Sequence, residues 1–348
     1  MKKDAIEFVP FSELNVDEDF FRSLIDDYQG FRNWFVKKAE QREKVYVLRT
    51  PELSGFLYLK DEEEGDNNIS PPLCKKRRLK IGTFKIDAHG TVLGERFIGI
   101  ALNKMIKEGF DETYVTLFDK QERLNALFEK FGFKYWGIKN NGELVYHKTL
   151  DIVHNPYKVF PRIETKGKNK YLLSIYPKYH TKLFPDSKLH TEISHIVEDL
   201  SFTNTIEKVY LTAMTGVNDV NVGDLIVIYR TADLGKSAEY SSVATSVCTM
   251  IEKKHISEFT SLVSFIDYCG KGTVFTKDEL TGFWHTKSYP YIIKMLYNFA
   301  FPKRIIRKEL IEKVGIDRQQ HIMVNPLSDK EFKKIIELGE VNEGYIIN

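Results

Sequence analysis

The stretch HGTVLGERFIGIALNKMIKEGF, residues 89–110, opens with two glycines, Gly90 and Gly94, and runs into apolar residues at three- and four-residue spacings. A short glycine-containing loop feeding a helix leaves backbone N–H groups unpaired where the helix dipole is positive. That is the chemistry of a phosphate or pyrophosphate site. His89, Gly90, Thr91, Val92, Leu93, Gly94 and Glu95 are the residues so placed, although glycines at such junctions also serve plain chain reversal. A second anion candidate is the basic run Lys75–Arg78, which follows an acidic block and Pro-Pro in DEEEGDNNISPPLCKKRR (61–78); this segment reads as a solvated loop or as a charged lip over a cleft. Metal chemistry is not expected. His190 and His195 are five apart with Glu192 misplaced for H-E-x-x-H, and Cys74, Cys248 and Cys269 share no CxxC spacing.

The elements that must carry the loop alternate in type. Asp17–Glu43 has the stripe of one or two helices, KVYVLRT (44–50) and SGFLYLKD (54–61) read as a hairpin, and LKIGTFKID (79–87) is a further strand. The loop at 88–93 follows, then a helix over about 94–108 stopped by Gly109. Strand 112–118, a helix over 120–131 closed by Gly132, and two strands joined through Asn-Asn-Gly complete the first half.

This order resembles the acetyl-CoA-binding core of the GNAT acetyltransferases: a strand, a Q/R-x-x-G-x-G/A loop, a helix, a strand, and a helix ending like LFEKFGF (127–133). RFIGIA (96–101) matches the loop motif by letter, but its N–H groups belong to the helix interior. HGTVLG (89–94) keeps the family's register, with His89 where Gln or Arg is usual and Val92 where the first Gly is usual. The resemblance implies a mixed, splayed sheet and acetyl-CoA as cosubstrate. Its pyrophosphate would lie on Gly90–Glu95 and its pantetheine along strand 79–87, at Phe84 and Ile86. Gln121 stands where Asn is common, and Phe128 stands where a Tyr commonly protonates the leaving thiolate. Asp87, Tyr58, Glu95 and His89 are the candidate bases, each with a plainer role as cap, core or loop residue.

After a connection at 151–170, the second half contains IEKVYLTAMTGVNDVNVGDLIVIYRTAD (206–233) and YSSVATSVCTMIE (240–252). A Val-Gly-Asp turn feeding a strand, followed by a returning strand, resembles the PUA-like domains and their ASCH and EVE relatives. That resemblance implies a β-barrel with helices that binds RNA or an extruded base. Arg230, Thr231 and Tyr240 would line its pocket, Phe283 or Trp284 would stack on a base, and Lys303, Arg304, Arg307 and Lys308 would meet phosphates. The expected architecture is α+β, with a GNAT domain over 1–150, a linker over 151–170 and a PUA-like domain over 171–348. The expected activity is N-acetylation of an RNA-associated amine on tRNA, aminoacyl-tRNA or a ribonucleoprotein. The alternatives are a non-catalytic acyl-CoA sensor that binds nucleic acid, or a protein or small-molecule acetyltransferase whose barrel is an interaction surface, a homodimer included. A net charge of +2 confines any RNA contact to a local patch. No run of about 18 apolar residues and no signal-like start are visible, so a cytoplasmic protein without membrane spans is expected.

Overall fold

The computed structural model describes residues 6–49, 52–87, 93–184 and 205–348. They form two compact units, Met1–Asp151 and Ile152–Asn348.

The first unit runs β1 (Glu7–Pro10), α1 (Arg22–Asp27), α2 (Phe31–Glu40), β2 (Lys44–Arg49), β3 (Leu53–Glu62), β4 (Ile69–Ser70), β5 (Arg78–Ile86), α3 (Leu93–Lys107), β6 (Glu112–Leu117), α4 (Glu122–Lys130), β7 (Lys134–Lys139) and β8 (Leu144–Thr149). Its strands lie in the order β1-β2-β3-β5-β6-β8-β7-β4. Among the described residues of this unit only β5 and β6 are parallel neighbours, because α3 is the crossover between them, and α3 buries Phe97, Ile98, Ala101, Leu102, Met105 and Ile106 at helical spacing. Gly109 and Gly132 take positive φ just beyond α3 and α4. The aromatic residues of α2 form a core with Leu24 of α1, the segments before α1 and the first strands, in which Phe11, Phe21, Phe31, Phe35, Phe56 and Tyr58 are all buried.

The charged segment 61–78 is mostly exposed but anchored to the sheet. Ile69 and Leu73 are buried with Tyr114 and Val145, and β4 extends the sheet beyond β7. Its basic run is spent internally: Lys75 pairs with Glu64, Arg77 with Asp61, and Lys76 and the buried Arg78 both reach Glu112. The segment is solvated along most of its length, as its composition suggested, and is pinned by two apolar anchors and local ion pairs.

The second unit comprises α5 (Pro156–Val159), β9 (Ile163–Glu164), β10 (Lys170–Ile175), α6 (Pro177–Leu183), β11 (Glu207–Thr212), β12 (Leu225–Arg230), α7 (Ala238–Ser241), β13 (Val243–His255), α8 (Leu262–Cys269), α9 (Lys277–Thr286), β14 (Tyr291–Ile306), α10 (Arg307–Glu309), β15 (Val324–Leu327), α11 (Asp329–Leu338) and β16 (Ile346–Ile347). Among the described residues the main sheet is open, in the order β11-β14-β13-β12-β10-β15, and no closed barrel forms. Long β13 and β14 are irregular, with register shifts near Ala244, Val247 and Met250 that bend the sheet. The segment expected as a linker is part of this unit: Phe160 and Ile163 are buried, β9 pairs with β16, and Asn298 donates to the carbonyls of Pro161 and Arg162. Lys303 and Arg304, expected to meet phosphates, belong to strand β14.

Candidate active site

Strands β5 and β6 pair only at Leu79–Thr113, Lys80–Tyr114 and Ile81–Val115. Beyond that point β5 stays with β3, while β6 pairs along its whole length with β8. The divergence begins at Gly82. The β3–β5 register passes from Tyr58–Thr83 to Leu59–Ile81, leaving Gly82 as the extra residue of a bulge. A side chain there would meet Tyr58, since an added Cβ would stand 2.9 Å from Tyr58 Cδ1. The edge of β5 from Gly82 to Ile86 therefore has no strand partner on the β6 side among the described residues.

A cavity of about 340 Å³ opens at this divergence, lined by Lys80–Phe84 of β5, Val115–Leu117 of β6, Tyr28–Phe31 before and in α2, Gln121 and Leu124 at the head of α4, and Lys139, Asn141 and Glu143. The tight β7–β8 turn places the last three: Gly142 has φ +86, and Gly142 N donates to Lys139 O at 2.8 Å. Glu143 is buried, at 3% exposure. Its Oε1 accepts from the Tyr28 hydroxyl at 3.1 Å and its Oε2 from Asn141 Nδ2 at 2.9 Å. Burial first, and then the Glu143 charge, push Tyr28 well above the usual phenol range, so it stays a hydrogen-bond donor to the carboxylate. A buried carboxylate facing a cavity beside an open strand edge can take a proton from a bound amine.

Of the residues singled out in the sequence, Phe84 and Gln121 line this cavity. His89, Gly90, Thr91 and Val92 lie outside the described residues. Leu93 and Gly94 are buried at the start of α3, where an added Gly94 Cβ would come within 2.5 Å of Leu127 Cδ2, so Gly94 allows α3 to approach α4 closely. Ile86 lies against that same approach. Glu95 pairs with Lys130 of α4 at 2.6 Å. Asp87 is exposed, 3.5 Å from Lys85. Tyr58 sits in the aromatic core, with ring centroids 5.3 Å from Phe11 and 5.6 Å from Trp34, and burial pushes its hydroxyl up to about 12. Phe128 is fully buried, 5.4 Å from Phe84 and 4.8 Å from Phe133 between ring centroids. The structure thus brings none of Asp87, Tyr58 and Glu95 to the cavity; it brings Glu143 and Tyr28, which the sequence did not single out.

The second unit has its own cavity, about 700 Å³, lined by Tyr176, Lys178, Tyr179, Tyr229, Thr231, Tyr289, Arg307 and His321 among others. Arg307 is held there by the carbonyls of Arg318 and Gln320 and by Tyr229 Oη at 3.4 Å. Of the residues expected to meet nucleic acid, Thr231 and Arg307 line this cavity. Arg230 is buried and pairs with Asp233, because it ends β12 facing the interior. Tyr240 is exposed outside the cavity beneath Lys308, and Trp284 packs on Phe265 with Lys287 over its ring. Arg304 donates to Phe301 O and Lys303 is exposed on the strand. Tyr176, Tyr179 and Lys178, which the sequence did not single out, carry a visible signal, the lysine-interleaved aromatics of YPKYH (176–180).

Among the described residues no cluster of three or more His, Cys, Asp or Glu could hold a metal, and no helix is long and apolar enough to cross a membrane. No protein-family model matches the chain, and no curated protein matches it. Solved structures do. An ASCH protein from Zymomonas mobilis is 9% identical and covers 49% of this chain and 94% of its own, with a TM-score of 0.33. A GNAT-family acetyltransferase from Listeria monocytogenes is 18% identical over 42% of this chain and 95% of its own, with a TM-score of 0.33. The PaiA N-acetyltransferase of Thermoplasma acidophilum, solved with coenzyme A, is 14% identical over 40% and 82%, with a TM-score of 0.26. The chain is thus similar to solved structures of both kinds, GNAT and ASCH, each over about half of its length.

Proposed function

We propose that the first unit is an acetyl-CoA-dependent N-acetyltransferase acting in the cytoplasm, where its free cysteines stay thiols, and that the second unit presents an RNA-associated acceptor. The observation that carries the transferase reading is the open edge of β5 from Gly82 to Ile86 beside a cavity that holds a buried carboxylate. An unpaired strand edge offers alternating N–H and C=O groups to the amides of an extended chain such as pantetheine, as an added strand would. Bound acetyl-CoA supplies the acyl group as a thioester. Glu143 then accepts the ammonium proton of the acceptor, the freed amine forms the N–C bond, the C–S bond breaks, and the second proton of the nitrogen passes to water or, through water, to the leaving thiolate. Phe128 has no proton to give, so the thiolate leaves as such or takes its proton from water.

The RNA reading is supported by the second cavity, where four tyrosines stand with Lys178 and Arg307, a combination that suits a stacked base and a phosphate. The acceptor would then be a tRNA, an aminoacyl-tRNA or a ribonucleoprotein. Phe128 favours one second reading, an acyl-CoA sensor without turnover. Incubating the protein with radiolabelled acetyl-CoA and a lysate split into RNA, protein and small molecules separates these. Label in RNA is expected; label elsewhere makes the second unit an interaction surface; tight binding without label supports the sensor.

A further inference from the structure

We infer that the cavity beside the splay takes an acceptor whose amine is flanked by an anionic oxyacid group, a carboxylate or a phosphate, with Lys80 and Lys139 holding that group and Glu143 facing the amine. This rests on the acetyl-transfer reading. Lys80 and Lys139 both line the cavity, and neither is tightly neutralised. Lys80 Nζ is 3.4 Å from Glu62 Oε1, but the Glu62 carboxylate is already engaged by Lys60 at 2.7 Å and by the Tyr114 hydroxyl. Lys139 Nζ stands 3.9 Å from Glu143 Oε2, the oxygen already taken by Asn141, while Oε1 is taken by Tyr28.

Three lysines thus face two carboxylates, and the cluster carries an excess of positive charge in a half-buried place. Burial holds the Lys80 ammonium below its usual value, and the charge of Lys139 adds to that against the pull of Glu62. An anion seated between the two ammoniums relieves both costs and satisfies N–H donors, of which each lysine has three. The carboxylate of Glu143 on the same wall provides the opposite pole for an ammonium. A cavity of 340 Å³ is at the small end of ligand sites, which run roughly 300–1,000 Å³, so it admits the amine-bearing end of an acceptor.

Ethanolamine, serine and O-phosphoethanolamine share a short amine and differ in the group beside it: none, a carboxylate or a phosphate. With the full chain and acetyl-CoA, thiol release should give a kcat/KM at least about tenfold higher for one of the two anionic acceptors than for ethanolamine. Which one it is identifies the oxyacid. Lys80→Met and Lys139→Met should shrink that preference mainly through KM, and Lys139→Arg should retain it. Equal rates for all three acceptors, an unchanged preference in both Met variants, or no transfer to any of the three while label from acetyl-CoA still reaches a lysate fraction overturns the inference. Failure of the wild-type chain to bind acetyl-CoA, or binding without label in any lysate fraction, overturns the transferase reading itself, so the two failures are told apart.

Discussion

At the residue scale the chemistry centres on Glu143, whose carboxylate is fixed by Tyr28 and Asn141 and has little contact with water. Glu143→Gln keeps an acceptor for Tyr28 but removes the base. We expect kcat to fall by about 10²–10⁴, the usual worth of a general base, while acetyl-CoA affinity measured by calorimetry is kept. Loss of affinity with kcat retained would make Glu143 a binding residue instead. Phe128 makes the opposite case. Its ring is closed in between Phe84 and Phe133, so the hydroxyl of Phe128→Tyr has no partner and should cost about 1–3 kcal/mol in urea unfolding. No gain in transfer rate is expected. A faster variant would mean that the new hydroxyl reaches the leaving thiolate.

At the element scale the site depends on two strands parting. A parallel pair joined through a helix normally stays paired along its length, and here the bulge at Gly82 turns β5 away after three residue pairs. Tyr58, held by Phe11 and Trp34, occupies the space a side chain at 82 would need. Gly82→Ala should therefore destabilise the protein by about 1–3 kcal/mol through overpacking, and weaken acetyl-CoA binding because the strand edge moves. A variant with wild-type affinity in calorimetry would separate the bulge from the site. An isolated glycine inside a strand pattern is a known sign of a bulge, so LKIGTFKID already carried this signal; Asn-Asn-Gly likewise announced the turn that carries Glu143.

At the scale of the whole molecule, the second unit contains a fully buried histidine, His180, whose Nε2 is 2.9 Å from Thr245 Oγ1. Burial, with Arg230 and Arg304 adding to it, lowers its pKa from 6.5 to about 3. The unfolded chain then binds a proton that the folded chain refuses between pH 6.5 and about 3. Stability is full above pH 6.5 and falls as pH drops through that window, by up to about 1.4 kcal/mol per pH unit from this one group. Urea titrations at pH 7 and pH 5 should show the loss, and His180→Gln should reduce the difference between the two pH values. An equal difference in the variant would mean that His180 does not carry the acid sensitivity between pH 7 and pH 5, since Glu62 and Glu112, held low by their partners, lose their contribution only as pH falls below about 4.5.

The alternation of strands and helices, the stops at Gly109 and Gly132, the Asn-Asn-Gly hairpin and the Val-Gly-Asp turn were legible because each is decided within a few residues. The tertiary structure alone decided which polar groups meet. Glu143 and Tyr28 are 115 positions apart, and no local pattern marks a carboxylate that will be buried against so distant a hydroxyl. Asp87, Glu95 and Tyr58 lie near the loop or on the adjacent strand in sequence, yet an ion pair to Lys85, an ion pair to Lys130 and an aromatic core claim them. In segment 61–78 the charges are indeed mostly in solvent, but only the folded chain shows that Ile69 and Leu73 reach a core that strands far along the chain supply. Local sequence sets backbone geometry through steric and hydrogen-bond preferences within a few residues; burial and charge pairing depend on neighbours that only the folded chain brings together.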